Sequence, residues 1–363
     1  MALKPTVDIV TATREYETWL ASRIAIVSAD LREKHDRMSE SPFVFLRATF
    51  YWWIQRWQTL GRPLADAQRS LAVGDLHVEN FGTWRDAEGR LIWGINDFDE
   101  ACELPYTHDL VRLATSACLA EQDSQFSLSD RAICEAILEG YGECLQRGGR
   151  PIVLAERYKW LRDIALSNLR DPGIFWDKLL KLPIARDGVP RALLLAAFPR
   201  GATGVRISRR VAGVGSLGRP RFVGIAESAG GLVAREAKAW APSAATWLRV
   251  SDRANAASRL LPQVIRAVDP GFAIRRPWII RRLAPDCSKI EVDDLPGKRD
   301  EQKLLRAMGW ETANVHGYNS ARRTAIARDL SARKSGWLLA AASAMADATV
   351  EDWRLWKRQG RST

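Results

Sequence analysis

Gly74-Asp75-Leu76-His77-Val78-Glu79-Asn80 and, a little downstream, Asn96-Asp97-Phe98-Asp99 decide how this chain is read. The first stretch sets a carboxylate five residues before an amide, and the second closes the next apolar run with another carboxylate. This layout suits phosphoryl transfer. One Asp accepts the proton of an attacking hydroxyl, while an Asn and a second Asp hold magnesium against phosphates. Mg²⁺ takes hard oxygen ligands at about 2.0–2.1 Å and keeps several waters, so a protein supplies only one or two carboxylates. Asp97 fits as that carboxylate, Asn80 as a neutral carbonyl ligand, and Asp75 as a base kept ionised beside a cation.

The residues between predict a β-hairpin. Phe81-Gly82-Thr83-Trp84 reads as one strand and Leu91-Ile92-Trp93-Gly94-Ile95 as a buried second, joined by the polar turn Arg85-Asp86-Ala87-Glu88-Gly89-Arg90. Such a hairpin brings Asn80 and Asp97 to one end. Asp and Asn near Gly also form plain turns. The two halves with a hairpin between them favour the chemical reading.

A hydrophobic content of 47% over 363 residues supports a sizeable core in one large or two ordinary domains. There is no run of about 18 apolar residues, so no membrane span is expected. The N-terminus lacks a signal-peptide pattern. The five cysteines, Cys102, Cys118, Cys134, Cys144 and Cys287, are scattered without a CxxC pair. Reduced thiols in a cytoplasmic protein are expected, with neither a zinc site nor a disulfide framework. A net charge of +11 favours anionic partners. The basic residues are dispersed, which speaks for phosphate steering rather than nucleic-acid binding. Trp52, Trp53 and Trp57 share one predicted helix at spacings that suit core packing rather than base stacking.

Along the chain, about 6–34 predicts one long amphipathic helix and 42–60 a second, with Ser41 as N-cap and Pro42 at its first position. Residues 68–73 predict a strand delivering the loop at 74–80. Helical spacing covers 107–120 and about 128–144. Asp109 falls in the first turn of the first of these helices, favoured by the dipole. Strands are expected at 205–211, 221–226, 232–235 and 274–283. Helices are expected at about 249–265, 301–317, 321–346 and 350–358. Gly213-x-Gly215-Ser216-x-Gly218 lies between two strands. Its glycines permit a tight turn and let backbone N–H groups approach phosphate oxygens. A Rossmann turn requires a helix next, whereas Arg219-Pro220 and a strand follow.

The loop at 74–80 resembles the catalytic loop of the protein-kinase-like superfamily, in particular its aminoglycoside-phosphotransferase and choline-kinase branch. That branch carries His-Gly-Asp-x-His-x-x-Asn followed by Ile-Asp-Phe-Asp. Val73 stands here in place of the branch's His. From about 41 to 316 the chain is also similar to a bacterial group known as domain-of-unknown-function family 2252. That similarity rests on Ser41-Pro42-Phe43, Asn96-Asp97-Phe98-Asp99-Glu100-Ala101 and Asp109-Leu110-Val111-Arg112-Leu113-Ala114.

The resemblance implies an α+β, two-lobed kinase-like fold using ATP and Mg²⁺. Asp75 would be the base, Asn80 and Asp97 the metal ligands. Gly213, Gly215, Ser216 and Gly218 would cover the phosphates, and Lys238 would neutralise them. His77 and Glu79 would orient Asp75 or touch phosphate. Asp99 would assist the metal or cap a helix, and Asp109 would brace the loop through backbone bonds. Kinases hold the strand lysine with a Glu on the next helix, but the helix predicted here has none. Ala256 aligns with that position, and Asp252 or Glu236 are the substitutes. The order is also reversed, since the loop precedes the glycine segment. The implied architecture is therefore circularly permuted. Residues 1–200 form a catalytic part, 201–283 a nucleotide part with Trp278–Leu283 as hinge strand, and 284–363 helices completing the catalytic part. Met308 to Gly317 resembles the helix that ordinarily precedes the catalytic loop. The expected activity is phosphotransfer from ATP to a small hydroxyl compound. The alternatives are a nucleotide-binding pseudokinase, nucleotidyl transfer and, less well matched, a metallohydrolase built on His77, His108 and the Asp cluster.

Overall fold

The computed structural model describes residues 7–122, 127–154, 156–167, 171–251, 256–287 and 298–359, and these form a mixed α+β protein. The N-terminal region is two helices rather than one: α1 (Ile9–Ala21), started by Asp8 accepting from the Thr11 N–H, and α2 (Ser28–Arg37). The break at 22–27 has a partner, because the Val27 N–H donates to the Gly218 carbonyl at 2.9 Å. The predicted second helix is likewise split, into α3 (Pro42–Ala48) and α4 (Phe50–Leu60). Thr49, at φ −123° and ψ 44°, leaves the helical region there. Ser41 caps α3 as its sequence suggests, accepting from the Val44 N–H. Trp52, Trp53 and Trp57 of α4 are all buried in the main core.

Strand β1 (Arg69–Ala72) leads into the 74–80 loop. The hairpin β2 (Phe81–Arg85) and β3 (Leu91–Ile95) follows, in the register Phe81↔Ile95 to Arg85↔Leu91. A further strand, β4 (Cys102–Pro105), pairs antiparallel with β1. Then come α5 (Tyr106–Gln122), α6 (Asp130–Arg147) and a short β5 (Ile152–Val153) on the edge of β3. Helices α7 (Lys159–Ser167), α8 (Pro172–Leu180) and α9 (Arg191–Ala197) lead to the second part of the fold.

That part is a five-stranded antiparallel sheet. Its strands β6 (Thr203–Arg209), β7 (Arg221–Ser228) and β8 (Gly231–Ala239) are followed by the short helices α10 (Ala244–Trp247) and α11 (Ala256–Leu260). The hairpin β9 (Ala273–Arg275) and β10 (Trp278–Leu283) completes it, in the order β6-β7-β8-β10-β9. The single strand expected at 274–283 is thus two strands folded back at Arg276-Pro277. Lys238 sits inside β8 rather than beyond it. The helix expected at 249–265 reduces to α11 and a following turn, and 252–255 lie outside the described residues.

Side-chain alternation splits the sheet between two small cores. Val223, Ile225 and Ala234 pack under Phe175 and Leu179 of α8, whereas Ile207, Phe222, Ala237 and Ile280 pack under Leu194 of α9. The chain closes with α12 (Lys298–His316), α13 (Ser320–Ala332) and α14 (Trp337–Gln359). The last two are divided by Gly336 at φ +76°, not at 347–349 as expected, because Ala-Thr-Val continues the helix. Gly140 of α6 and Gly309 of α12 each lack a Cβ where the other helix's backbone lies, so α12 beds closely on α6. No helix among the described residues is long and apolar enough to cross a membrane.

Candidate functional site

A cavity of about 300 Å³ opens between the 74–80 loop, the 96–100 segment, the turn at 213–218 and one face of the five-stranded sheet. The β1–β4 and β2–β3 ladders hold the loop and the 96–100 segment side by side. Asn80 ties them. Its amide nitrogen donates to the carbonyls of Asp75 at 3.1 Å and Asp97 at 3.2 Å, and its oxygen accepts the Asp97 N–H at 3.0 Å.

Asp109 secures the start of the loop. Its carboxylate accepts the N–H groups of Val73 at 2.6 Å and Gly74 at 3.1 Å. His108 Nδ1 and His316 Nε2 each lie 3.1 Å from it. Burial alone would raise this carboxyl, but the bonds from His108 and His316 hold it below the usual carboxylate range. Both sequence readings of Asp109 describe it, since it also lies in the first turn of α5. His316 ends α12, and its carbonyl accepts the Ser70 hydroxyl of β1 at 2.6 Å.

Asp75 faces the cavity with one oxygen engaged. Oδ1 takes Arg112 Nε at 3.1 Å and a closer contact from Nη2. Arg112 is 0% exposed, lies over the rings of Trp53 and Phe50 at 4.8 and 5.2 Å, and donates to the Leu46 carbonyl. Burial raises the Asp75 carboxyl and Arg112 opposes the rise. His77 Nδ1 accepts the Glu79 N–H at 3.2 Å, and Glu79 pairs with Arg47 at 2.7 Å, all on the cavity wall.

The turn at 213–218 closes against this cluster. A Cβ on Gly215 would lie 2.8 Å from the Arg47 carbonyl and 3.3 Å from Asp75 Oδ2. Close approach therefore accounts for a glycine there before any ligand is considered. Ser216 Oγ accepts Arg221 Nη2 at 2.6 Å.

Sheet register supplies the remaining charges. Arg221 faces Lys238 and Lys238 faces Ile279, while Val223 faces Glu236 and Glu236 faces Arg281. Period-two alternation therefore puts Arg221, Glu236, Lys238 and Arg281 on one face. The Lys238 side chain is 1% exposed, and its ammonium lies 3.1 Å from Asp97 Oδ2 and in closer contact with Asp99. It is not among the residues lining the cavity. The partner sought for Lys238 on the following helix is replaced by these two aspartates. Glu236 instead holds Arg210 and, at 3.0 Å, Arg221. Burial would raise Glu236, but the two arginines draw it down to about 2. Asp252 lies outside the described residues, and so does the Ala256 side chain.

Asp97 and Asp99 diverge. Burial would raise Asp97, but Lys238 and Arg281 hold it well below the ordinary value. Asp99 is raised by burial and by the Asp97 charge, against Lys238 and Arg219. The Asp97 side chain is 38% exposed, and Asp99 Oδ1 is buried with no hydrogen-bond partner among the described residues. Asp97 and Asp99 offer hard carboxylate oxygens of the kind a divalent cation takes, and Lys238 is paired with both. Among the described residues no group of three or more His, Cys, Asp or Glu converges as a metal cage.

Sequence reasoning missed Arg112, Arg219 and Arg281. Arg112 left a signal, standing one helical turn after Asp109. Arg219, which pairs with Glu100 at 2.9 Å, and Arg281 depend on contacts far apart in sequence.

Comparison with known proteins bears on the first part of this site. Residues 26–171 match the family described as an uncharacterized protein conserved in bacteria (DUF2252). The DUF2252 match spans Asp75, Asn80, Asp97, Asp109 and Arg112, and ends before the glycine turn and the five-stranded sheet. No curated protein and no solved structure matches the chain.

Proposed function

We propose that this protein is an ATP-dependent phosphotransferase with a circularly permuted, kinase-like two-lobed architecture, acting on a hydroxyl of a small-molecule acceptor. One observation carries the reading. Asp75, Asn80 and Asp97 share a cavity with a glycine turn that lies more than a hundred residues later in the chain. The contact of α12 with β1 through His316 and Ser70 supports the permuted order. It sets the helix from the far end of the chain just ahead of the loop.

In this reading Asp75 takes the proton of the acceptor hydroxyl on Oδ2 while Arg112 holds Oδ1. Asn80 and Asp109 fix the loop so that little reorganisation accompanies the transfer. Asp97 and Asn80 would hold Mg²⁺, with Asp99 assisting. A bound Mg²⁺ would neutralise charge on the phosphates. The glycine turn covers the phosphates.

A pseudokinase is the second reading. It is favoured by the engagement of Lys238 with both Asp97 and Asp99. Asp75→Asn separates the two. In a catalyst this change removes transfer of the γ-phosphoryl group, by about a hundredfold or more for a lost general base, and leaves ATP binding intact. Absence of any ATP turnover by the wild type across a panel of hydroxyl acceptors, with ATP binding retained, favours the pseudokinase.

A further inference from the structure

We propose that Arg281, rather than Lys238, is the cation that contacts a bound polyphosphate. The inference rests on the nucleotide reading above but departs from its assignment of Lys238. Three observations carry it. First, Lys238 is committed. Its ammonium is shut from solvent between Asp97 and Asp99 and does not reach the cavity wall. Drawing it onto a phosphate would break two ion pairs that already satisfy it.

Second, Arg281 does line the cavity, with its side chain 18% exposed. Its Nε and Nη2 are buried without hydrogen-bond partners among the described residues. Nη2 lies 3.3 Å from Asp97 Oδ1, near enough for charge attraction but not aligned as a hydrogen bond. Buried donors left without acceptors are costly and uncommon. A guanidinium fork matches phosphate oxygens in pairs, which an ammonium cannot do.

Third, the neighbours of Arg281 prepare such a contact. Glu236, its cross-strand partner, is neutralised by Arg210 and Arg221, so it leaves the Arg281 charge available. Arg221 in turn grips Ser216 of the glycine turn, so the turn and the cationic face form one connected unit. Lys238 becomes a positioning residue that holds Asp97 and Asp99 together.

The experiment is calorimetric titration of the full chain with ATP, adenosine and inorganic tripolyphosphate. The variants are Arg281→Gln and Arg281→Lys, both checked for wild-type circular dichroism and melting. Arg281→Gln is expected to weaken ATP and tripolyphosphate about ten- to a hundredfold, as for a lost charged hydrogen bond. Adenosine should be unaffected. Arg281→Lys, which keeps the charge and loses the fork, should lie between. Tripolyphosphate separates the two readings. If it binds and depends on Arg281 while ATP does not bind, the nucleotide reading fails and this inference stands. Unchanged ATP and tripolyphosphate affinity in Arg281→Gln overturns the inference. So does a wild type that binds no tripolyphosphate and no ATP.

Discussion

The cavity joins two regions built on different principles. On the 74–109 side, polar groups are locked by backbone. Asp109 accepts two loop N–H groups and faces two imidazoles, and Asn80 makes three bonds to the chain on either side of it. On the sheet side, Arg210, Arg221, Glu236, Lys238 and Arg281 balance one another through side-chain charge, and Arg281 keeps unmet donors. The first region is preorganised by these bonds. The second is balanced, so a ligand can redistribute its contacts. Rigid chemistry on one side and adjustable charge on the other suits binding a polyanion against a fixed base.

The largest expected effect breaks the locked side. Asp109→Ala strands four buried donors or imidazole nitrogens, and should cost on the order of 3–5 kcal/mol in urea-unfolding stability. A loss below about 1 kcal/mol would show that the loop does not depend on this carboxylate.

The next sharpens how that side is supported. Glu311 of α12 lies behind the hairpin, where Asn314 Nδ2 donates to it at 2.9 Å. Burial raises its carboxyl from 4.5 to about 7, against Asn314 and Arg266. The folded state therefore holds a proton that the unfolded state has released. That contribution is fully present below the unfolded value, and stability falls as pH rises from about 4.5 to 7, by about 3 kcal/mol at most. Glu311→Gln mimics the protonated form and should flatten that window and gain stability at pH 8. An unchanged pH profile would contradict the assignment.

The smallest effect concerns the join. Gly218 has φ +91°, and a Cβ there meets the flexible tip of Leu31. Gly218→Ala should destabilise by about 1–2 kcal/mol and weaken ATP binding, by shifting the glycine turn off α2 and α3. A stability loss with unaltered ATP affinity would uncouple the turn from the site.

Legibility in the sequence follows the same division. The locked side was readable because its parts are local. The loop motif, the hairpin between Asn80 and Asp97, and Asp109 at the start of a helical run all lie within a few dozen residues. The strands of the sheet were readable by alternation, and the mixed α+β class with them. What stayed hidden depends on register and crossing. Strand β4 exists because it pairs with β1, and its own residues carry little pattern. The break at 22–27 falls where Val27 meets Gly218 of the glycine turn, and that at Thr49 falls two residues after the Arg47 carbonyl, against which Gly215 packs. The roles of Arg112 and Arg281 emerge only when Asp75 is set beside α5 and β10 is set beside β8. Lys238 shows the limit most clearly: a strand before it was legible, but not that β8 runs through it or that two aspartates from the other side occupy its ammonium.

The central claim is that this cavity is a nucleotide site built around Asp97. The most direct test follows the melting temperature of the full chain during ATP titration, with and without Mg²⁺, for wild type and Asp97→Ala. A ligand confined to the folded state raises stability by about 2.7 kcal/mol at a hundred times its dissociation constant. The account predicts a rise that needs Mg²⁺ in the wild type and is lost in Asp97→Ala. A wild type indifferent to millimolar ATP, or a shift of equal size in Asp97→Ala, would contradict it.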